Sequence, residues 1–247
     1  MYNEQTISKM NVMKLFGMAK GFEQRVGSPQ HAELSHAEFV GLLVDDEKTH
    51  RENRKLKSLI KNAKFKQQQA ALEGIDYRHA RGLTKQAIAE LSTAQWITAH
   101  RNILITGPTG LGKTYIACAF GNLAVRAGLT TRYVRAPRLF ETLQQSRGDG
   151  SHLATLEKFG KVQLLIIDDL LLTPPSESER RDLMELIEDR YDAAATVITS
   201  QCPTKDWHQN IGDPTIADAI CDRLLHNAYK IVLRGDSIRP GEDKRKT

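Results

Sequence analysis

The stretch Asn102-Ile-Leu-Ile-Thr-Gly-Pro-Thr-Gly-Leu-Gly-Lys-Thr114 decides the fold. From Gly107 onward it fits the phosphate-loop template G-x-x-x-x-G-K-[S/T] at every fixed position. The apolar run before it reads as a strand, and a helical pattern follows from Lys113. Gly107, Gly110 and Gly112 let the backbone take positive φ and turn its N–H groups inward. Those groups and the start of the next helix form a concave anion site over Gly107, Pro108, Thr109, Gly110, Leu111, Gly112, Lys113, Thr114 and Tyr115. Lys113 can reach the β- and γ-phosphates of a nucleotide, and the Thr114 hydroxyl can ligate Mg²⁺. ATP and Mg²⁺ are the expected ligands.

Downstream, Val162-Gln-Leu-Leu-Ile-Ile-Asp-Asp-Leu170 is an apolar run ending in two carboxylates. A central parallel strand is buried on both faces, so it needs such a run. After a phosphate loop this is the Walker B pattern. Asp168 is expected to hold Mg²⁺, usually through water, and Asp169 to orient or activate the attacking water. Thr196-Val-Ile-Thr-Ser200 reads as a further strand. Its polar end, Ser200 and Gln201, falls between the two Walker motifs, where it can touch the γ-phosphate or the water.

From Arg101 the chain alternates strand and helix, which predicts an α/β domain with a mainly parallel sheet. Strands are expected at 102–106, 130–134, 162–170, 196–200 and 229–233. Thr84 is expected to cap a helix reaching about Ala99, and Ser176-Glu-Ser-Glu179 is a capping box. Pro214 to Asn227 reads as a helix with Ile216, Ala219, Ile220 and Leu224 inward, leaving Asp222 and Arg223 at its outer edge. The connector 72–83 carries Tyr77, Arg78, His79 and Arg81 just before this domain. They suit contact with adenine or ribose, or an ordinary linker packed on the core.

Residues before about 70 read as helices. Val12, Leu15, Phe16, Ala19 and Phe22 recur at helical spacing, and Ser35-His-Ala-Glu38 caps a long helix expected over 39–69. Between Lys48 and Lys66 lie Arg51, Arg54, Lys55, Lys57, Lys61 and Lys64, opposed only by Glu52. Such a stripe is the electrostatic footprint of polyanion binding, or a solvated or partner-facing surface. The organisation expected is a helical DNA- or partner-binding domain at 1–70, an ATPase domain at 71–240 and a disordered tail at 241–247.

The 247 residues suffice for one substantial core and a small appendage, and 40% apolar content is ordinary for a globular protein. No run approaches a membrane span, and the first residues lack a signal-peptide pattern, so a cytoplasmic protein is expected. A net charge of +5 is a mild hint of nucleic acid. Three scattered cysteines, Cys118, Cys202 and Cys221, argue against a zinc site or disulfide framework. Cys118 is expected to pack as a small hydrophobe.

The chain resembles the IstB-like helper ATPases of transposition, relatives of the DnaC helicase loaders in the AAA+ superfamily. The residues carrying this are 75–83, 102–114, Arg135-Ala-Pro-Arg-Leu139, 164–169, 180–191, 197–201, 211–228 and Gly235-Asp-Ser-Ile-Arg239. The phosphate loop alone would not separate this family from many others; the segments 199–201 and 212–224 do. The resemblance implies a P-loop AAA+ fold with a parallel five-stranded sheet in order 5-1-4-3-2, no C-terminal lid and a small all-helical N-terminal domain. It implies a homo-oligomer with ATP sites shared between subunits, Arg223 at the arginine-finger position, Ser200 at the first sensor and Arg239 doing a second sensor's work. The implied partners are duplex DNA and the transposase of the same insertion sequence. Two departures stand out. Leu171 replaces a Gly common in relatives, which would stiffen the turn beside Asp169. Asp169 is also one methylene shorter than the usual Glu, which implies slow hydrolysis. The competing readings are a helicase loader, which would show stacking aromatics on its DNA surface where Lys48–Lys66 has Phe65 alone, and a small-molecule P-loop kinase, active as a monomer with no role for Arg223.

Overall fold

The apolar runs that flank the phosphate loop become the centre of a parallel sheet. β1 (Asn102–Thr106) pairs with β4 (Ala195–Ser200) on one side and β5 (Ala228–Val232) on the other. β4 continues to β3 (Leu164–Leu170), and β3 to β2 (Thr131–Arg135). The order β2-β3-β4-β1-β5, all parallel, is the 5-1-4-3-2 order expected, read from the opposite edge. Every residue of β1 and β4 is buried, as covering helices on both faces require.

The computed structural model describes residues 2–28, 34–77 and 81–238. Arg78, His79 and Arg239 therefore lie outside the described residues. Two compact units divide between Ser58 and Leu59.

In the first unit, α1 (Tyr2–Val12) and α2 (Phe16–Arg25) are separate helices, because Lys14 takes a left-handed φ of 60° between them. α3 (His36–Ala63) begins at the expected capping box: the Ser35 amide donates to Glu38 and the Glu38 amide to the Ser35 hydroxyl. Within this unit the Gly17 amide donates to Glu47 at 2.7 Å, and Arg25 pairs with Asp46.

α3 stops where Lys64 turns left-handed, φ 54°, short of the expected end near 69. The chain from Leu59 packs with the second unit, so its boundary lies before the residue 70 expected. The reason is Phe65. It is buried, and together with Ile166 it closes over Gly121 so tightly that a Cβ there would collide with both. Asn122 fixes the same segment by donating to the carbonyls of Gln68 and Ala70. The one aromatic of the basic stretch is thus a core residue, not part of a stacking surface.

The second unit then supplies α4 (Lys85–Glu90) and α5 (Gln95–Thr98) where one helix was expected. Thr84 does cap α4, accepting from the Ala87 amide. α6 (Lys113–Arg126) follows the loop. On it, Cys118 is fully buried and desolvation pushes its thiol up to about 11, as suits a small hydrophobe. The opposite face of the sheet packs Leu104, Leu165, Ile167 and Ile198 against α7 (Ala136–Gly148), α8 (His152–Gly160), α9 (Glu177–Arg190), α10 (Trp207–Ile211) and α11 (Pro214–Leu225). The Ser176–Glu179 capping box starts α9, and Asp213 caps α11 by accepting from the Ile216 amide. Among the described residues no helix is long and apolar enough to cross a membrane.

Candidate functional site

All five strands point their C-terminal ends toward the phosphate loop, so loop chemistry collects along one edge of the sheet. Two outside segments, the connector and the stretch 233–238, hold the loop in shape through three bonds. The Leu233 amide donates to Thr106 O at 2.7 Å, the Ile238 amide to Gly110 O at 3.1 Å, and Arg81 Nη1 to Leu111 O at 2.7 Å. Arg81 is buried and also donates to Asp76 O at 2.8 Å, tying the connector to the loop. Gly107 sits at φ 141° with the Leu233 carbonyl oxygen where a Cβ would have to go, so a side chain does not fit there. These residues wall a cavity of about 570 Å³ that takes in Lys66, Asp76, Arg81, Thr109, Gly110, Lys113, Thr114, Tyr115 and Asp169. That lies within the range of roughly 300–1,000 Å³ usual for small-molecule sites.

Lys113 is buried, and its ammonium donates to the carbonyls of Gly107 and Pro108, each at 2.7 Å. The loop's own carbonyls therefore hold the cation in the mouth of the anion site. Beside it, Thr114 Oγ1 lies 3.1 Å from both oxygens of Asp168. Asp168 is fully buried, yet the bonds it makes are to hydroxyls: Tyr133 donates at 2.6 Å and Thr199 at 2.5 Å. Burial and the bond to Asp168 push the Tyr133 hydroxyl far above its ordinary pKa, so it stays a donor.

Among the described residues no cluster of three or more His, Cys, Asp or Glu can hold a metal ion. Thr114 and Asp168 are the pair that fits Mg²⁺, which is usually bound through one or two carboxylates together with substrate phosphates.

Asp169 departs from its neighbour. It takes a left-handed φ of 59°, and Leu171 follows at 56°, with a register shift between β3 and β4 at this point. The turn after β3 keeps Leu171 in the conformation a Gly adopts freely, at a steric cost of roughly 1–2 kcal/mol. The side chain of Asp169 pairs with Arg135, 3.0 Å from Nη2, and its amide donates to Thr199 Oγ1 at 3.0 Å.

Ser200 lies between the loop and the end of β3, and it does not line the cavity. It is fully buried; its hydroxyl donates to Leu170 O at 2.6 Å and accepts from the Cys202 amide, while its carbonyl accepts from the Gly107 amide. It is a strut between strand ends, and its proton is already given to the main chain. The β4 hydroxyl that reaches the Asp168 carboxylate belongs to Thr199. Neither Thr199 nor Tyr133 was singled out in the sequence. The signal that finds them is strand register, which sets Arg135 opposite Asp168 and Thr199 on the β4 side of it.

Arg223 lies elsewhere. It lines a crevice with His100, Asn102, Asp192, Thr196 and Asn227, all at the N-terminal edge of the strands. Asn102 donates to its carbonyl at 3.4 Å, and its Nε is 2.5 Å from Glu188. A five-residue strand spans about 16 Å, so β1 separates Arg223 from the loop that follows it. The basic residues Arg51, Arg54, Lys55 and Lys57 of the first unit are exposed, as are Lys61 and Lys64 of the second; Arg51 pairs with Glu47 at 2.7 Å.

Comparison with known proteins bears on this arrangement. The model of the family described as IstB-like ATP binding protein matches residues 8–246. The chain is 45% identical over 240 residues to the "Putative insertion sequence ATP-binding protein y4pL" of Sinorhizobium fredii (strain NBRC 101917 / NGR234), covering 97% of this chain and 98% of that protein. Among solved structures, DnaI matches with a TM-score of 0.58 at 21% identity, covering 69% of this chain and 91% of that one. The DnaC helicase loader matches with a TM-score of 0.55 at 17% identity, covering 67% and 97%. At those identities the likeness is one of fold, the P-loop AAA+ fold that the sheet order and the loop also describe. With the family model matching nearly its whole length, the chain belongs to the IstB-like ATP binding protein family.

Proposed function

We propose that this protein is an ATP-dependent, DNA-binding helper of an insertion-sequence transposase. ATP binding assembles subunits on duplex DNA and recruits the transposase; hydrolysis to ADP and phosphate resets the complex. Lys113 neutralises phosphate charge, and the loop from Gly107 to Tyr115 wraps the nucleotide. Thr114 and Asp168 hold Mg²⁺, which when bound supplies charge neutralisation at the β- and γ-phosphates. Asp169 orients water once Arg135 releases it. Arg223 acts on the γ-phosphate of a neighbouring subunit. The exposed cations between Arg51 and Lys64 take DNA phosphates.

The observation that carries this reading is the separation of Arg223 from the loop of its own chain by the length of β1. A side chain at the far edge of the sheet is useless to its own nucleotide and well placed to meet another subunit's. The insertion-sequence relative is matched over 98% of its length, which favours a transposition helper over a helicase loader for the same fold. Exposure of the basic residues, with Phe65 withdrawn into the core, favours phosphate-backbone contact over base stacking.

The test is size-exclusion chromatography with light scattering on the full chain, with Mg²⁺ and a non-hydrolysable ATP analogue, with and without duplex DNA. Assembly that needs the analogue and is extended by DNA is expected. A chain that stays monomeric under all of these conditions sinks the reading.

A further inference from the structure

Asp168 is held by more hydroxyls than its burial requires. Tyr133 comes from β2 and donates to Oδ2, Thr199 comes from β4 and donates to Oδ1, and Thr114 of α6 approaches both oxygens from the cavity side. A carboxylate offers about four lone-pair sites. The two short bonds, 2.6 and 2.5 Å, take one site on each oxygen from neighbouring strands. What is left for a ligand is the side shared with Thr114. Both hydroxyls are buried, and packing does not explain them. Phe would fill the volume of Tyr133 and Val that of Thr199, without a polar group that has to be satisfied.

Thr199 does a second thing. Its oxygen donates to Asp168 and accepts the amide of Asp169 at 3.0 Å. Asp169 is the residue whose left-handed φ of 59° accompanies the register shift between β3 and β4. One hydroxyl thus links the carboxylate of one acid to the main chain of the next.

We propose that Tyr133 and Thr199 are positioning residues of this ATPase site, Tyr133 orienting Asp168 alone and Thr199 locking Asp168 and Asp169 into one unit. The inference rests on the reading above that Asp168 holds Mg²⁺. It assigns separable effects. Losing the Tyr133 hydroxyl loosens only the metal-binding carboxylate, a defect that excess Mg²⁺ overcomes. Losing the Thr199 hydroxyl also frees the turn that carries Asp169, which excess Mg²⁺ does not restore.

The experiment measures the affinity of the full chain for a fluorescent ADP in EDTA and along a Mg²⁺ titration, and then ATP hydrolysis at saturating Mg²⁺. The variants are Tyr133→Phe, Thr199→Val and Thr199→Ser, with Asp168→Asn and Thr114→Ala as controls and thermal melts on each. Tyr133→Phe and Thr199→Val should bind ADP in EDTA as the parent does, while half-saturating Mg²⁺ rises about 10-fold, the lower end of what loss of an outer-shell partner costs a metal site. At saturating Mg²⁺, Tyr133→Phe should hydrolyse ATP at the parental rate and Thr199→Val should remain slow, with Thr199→Ser restoring both properties. Parental Mg²⁺ dependence in Tyr133→Phe and Thr199→Val, with Asp168→Asn impaired, overturns the inference and leaves the site standing. Equal weakening in EDTA and in Mg²⁺ marks the hydroxyls as merely structural and also overturns it. Full Mg²⁺ dependence in Asp168→Asn and Thr114→Ala overturns the underlying reading instead.

Discussion

The two edges of the sheet each hold a buried charge, and they treat it differently. At the C-terminal edge, Asp168 is bonded by three hydroxyls and Asp169 by one exposed arginine, on a strand end with two left-handed residues. At the N-terminal edge, Arg190 is buried and donates to the carbonyls of Phe159, Gly160, Val162 and Ala195 and to Thr196 Oγ1. Burial pushes the Arg190 pKa down, and five acceptors offset that. The first arrangement is made of groups that can exchange partners when phosphate or a cation arrives. The second is saturated by main chain and can only hold still. A site that must respond and a frame that must not are kept one strand length apart, and Arg223 sits on the frame side, presented by a rigid edge.

The comparison can be broken at either end. The largest effect is expected from Arg223→Ala, which should lower assembled hydrolysis by roughly 10³-fold or more while leaving nucleotide affinity intact. Mixing it with Lys113→Ala subunits should recover activity in a steady-state phosphate assay; no recovery at any ratio argues against action in trans. Lys113→Ala should next weaken ATP affinity by about 100-fold, near 2.8 kcal/mol, measured by titration calorimetry. Arg190→Leu leaves four carbonyls without their donor and should cost about 3 kcal/mol of stability in denaturant melts. If it melts like the parent, the N-terminal edge is not the rigid frame described. The smallest change is expected from Leu171→Gly. Relief of the left-handed conformation and the added chain entropy of Gly nearly cancel, so stability should move by less than about 1 kcal/mol.

The loop and the strands were legible in the sequence, because Gly107–Thr114 is a local pattern and 162–170 is an uninterrupted apolar run, whereas the strand order followed only from the family resemblance. What escaped was the direction in which buried polar residues point. β4 is covered on both faces, so no alternation of apolar and polar residues tells Thr199 from Ser200, and only the structure shows that Thr199 is the one bonded to Asp168. Tyr133 escaped for a related reason. It lies thirty-five residues from Asp168 in sequence, and only the β2–β3 register joins them. The helix end at Lys64 was hidden because a lysine in a left-handed conformation carries no compositional mark, whereas a glycine would have. The doubt raised by Leu171 did have a structural counterpart, for the chain holds a branched residue where the turn prefers none.

The clamps on the phosphate loop have a consequence for hydrogen exchange. The amides of Leu233 and Ile238 and the guanidinium of Arg81 bond to carbonyls of Thr106, Gly110 and Leu111. Opening the loop therefore breaks bonds to Leu233 and Ile238, more than a hundred residues distant along the chain, as well as to Arg81 in the connector. Amides near 233–238 should then exchange in step with those of 111–116, and a nucleotide that protects one set should protect the other, so the tempo of the loop is recorded in a stretch that carries none of its motif.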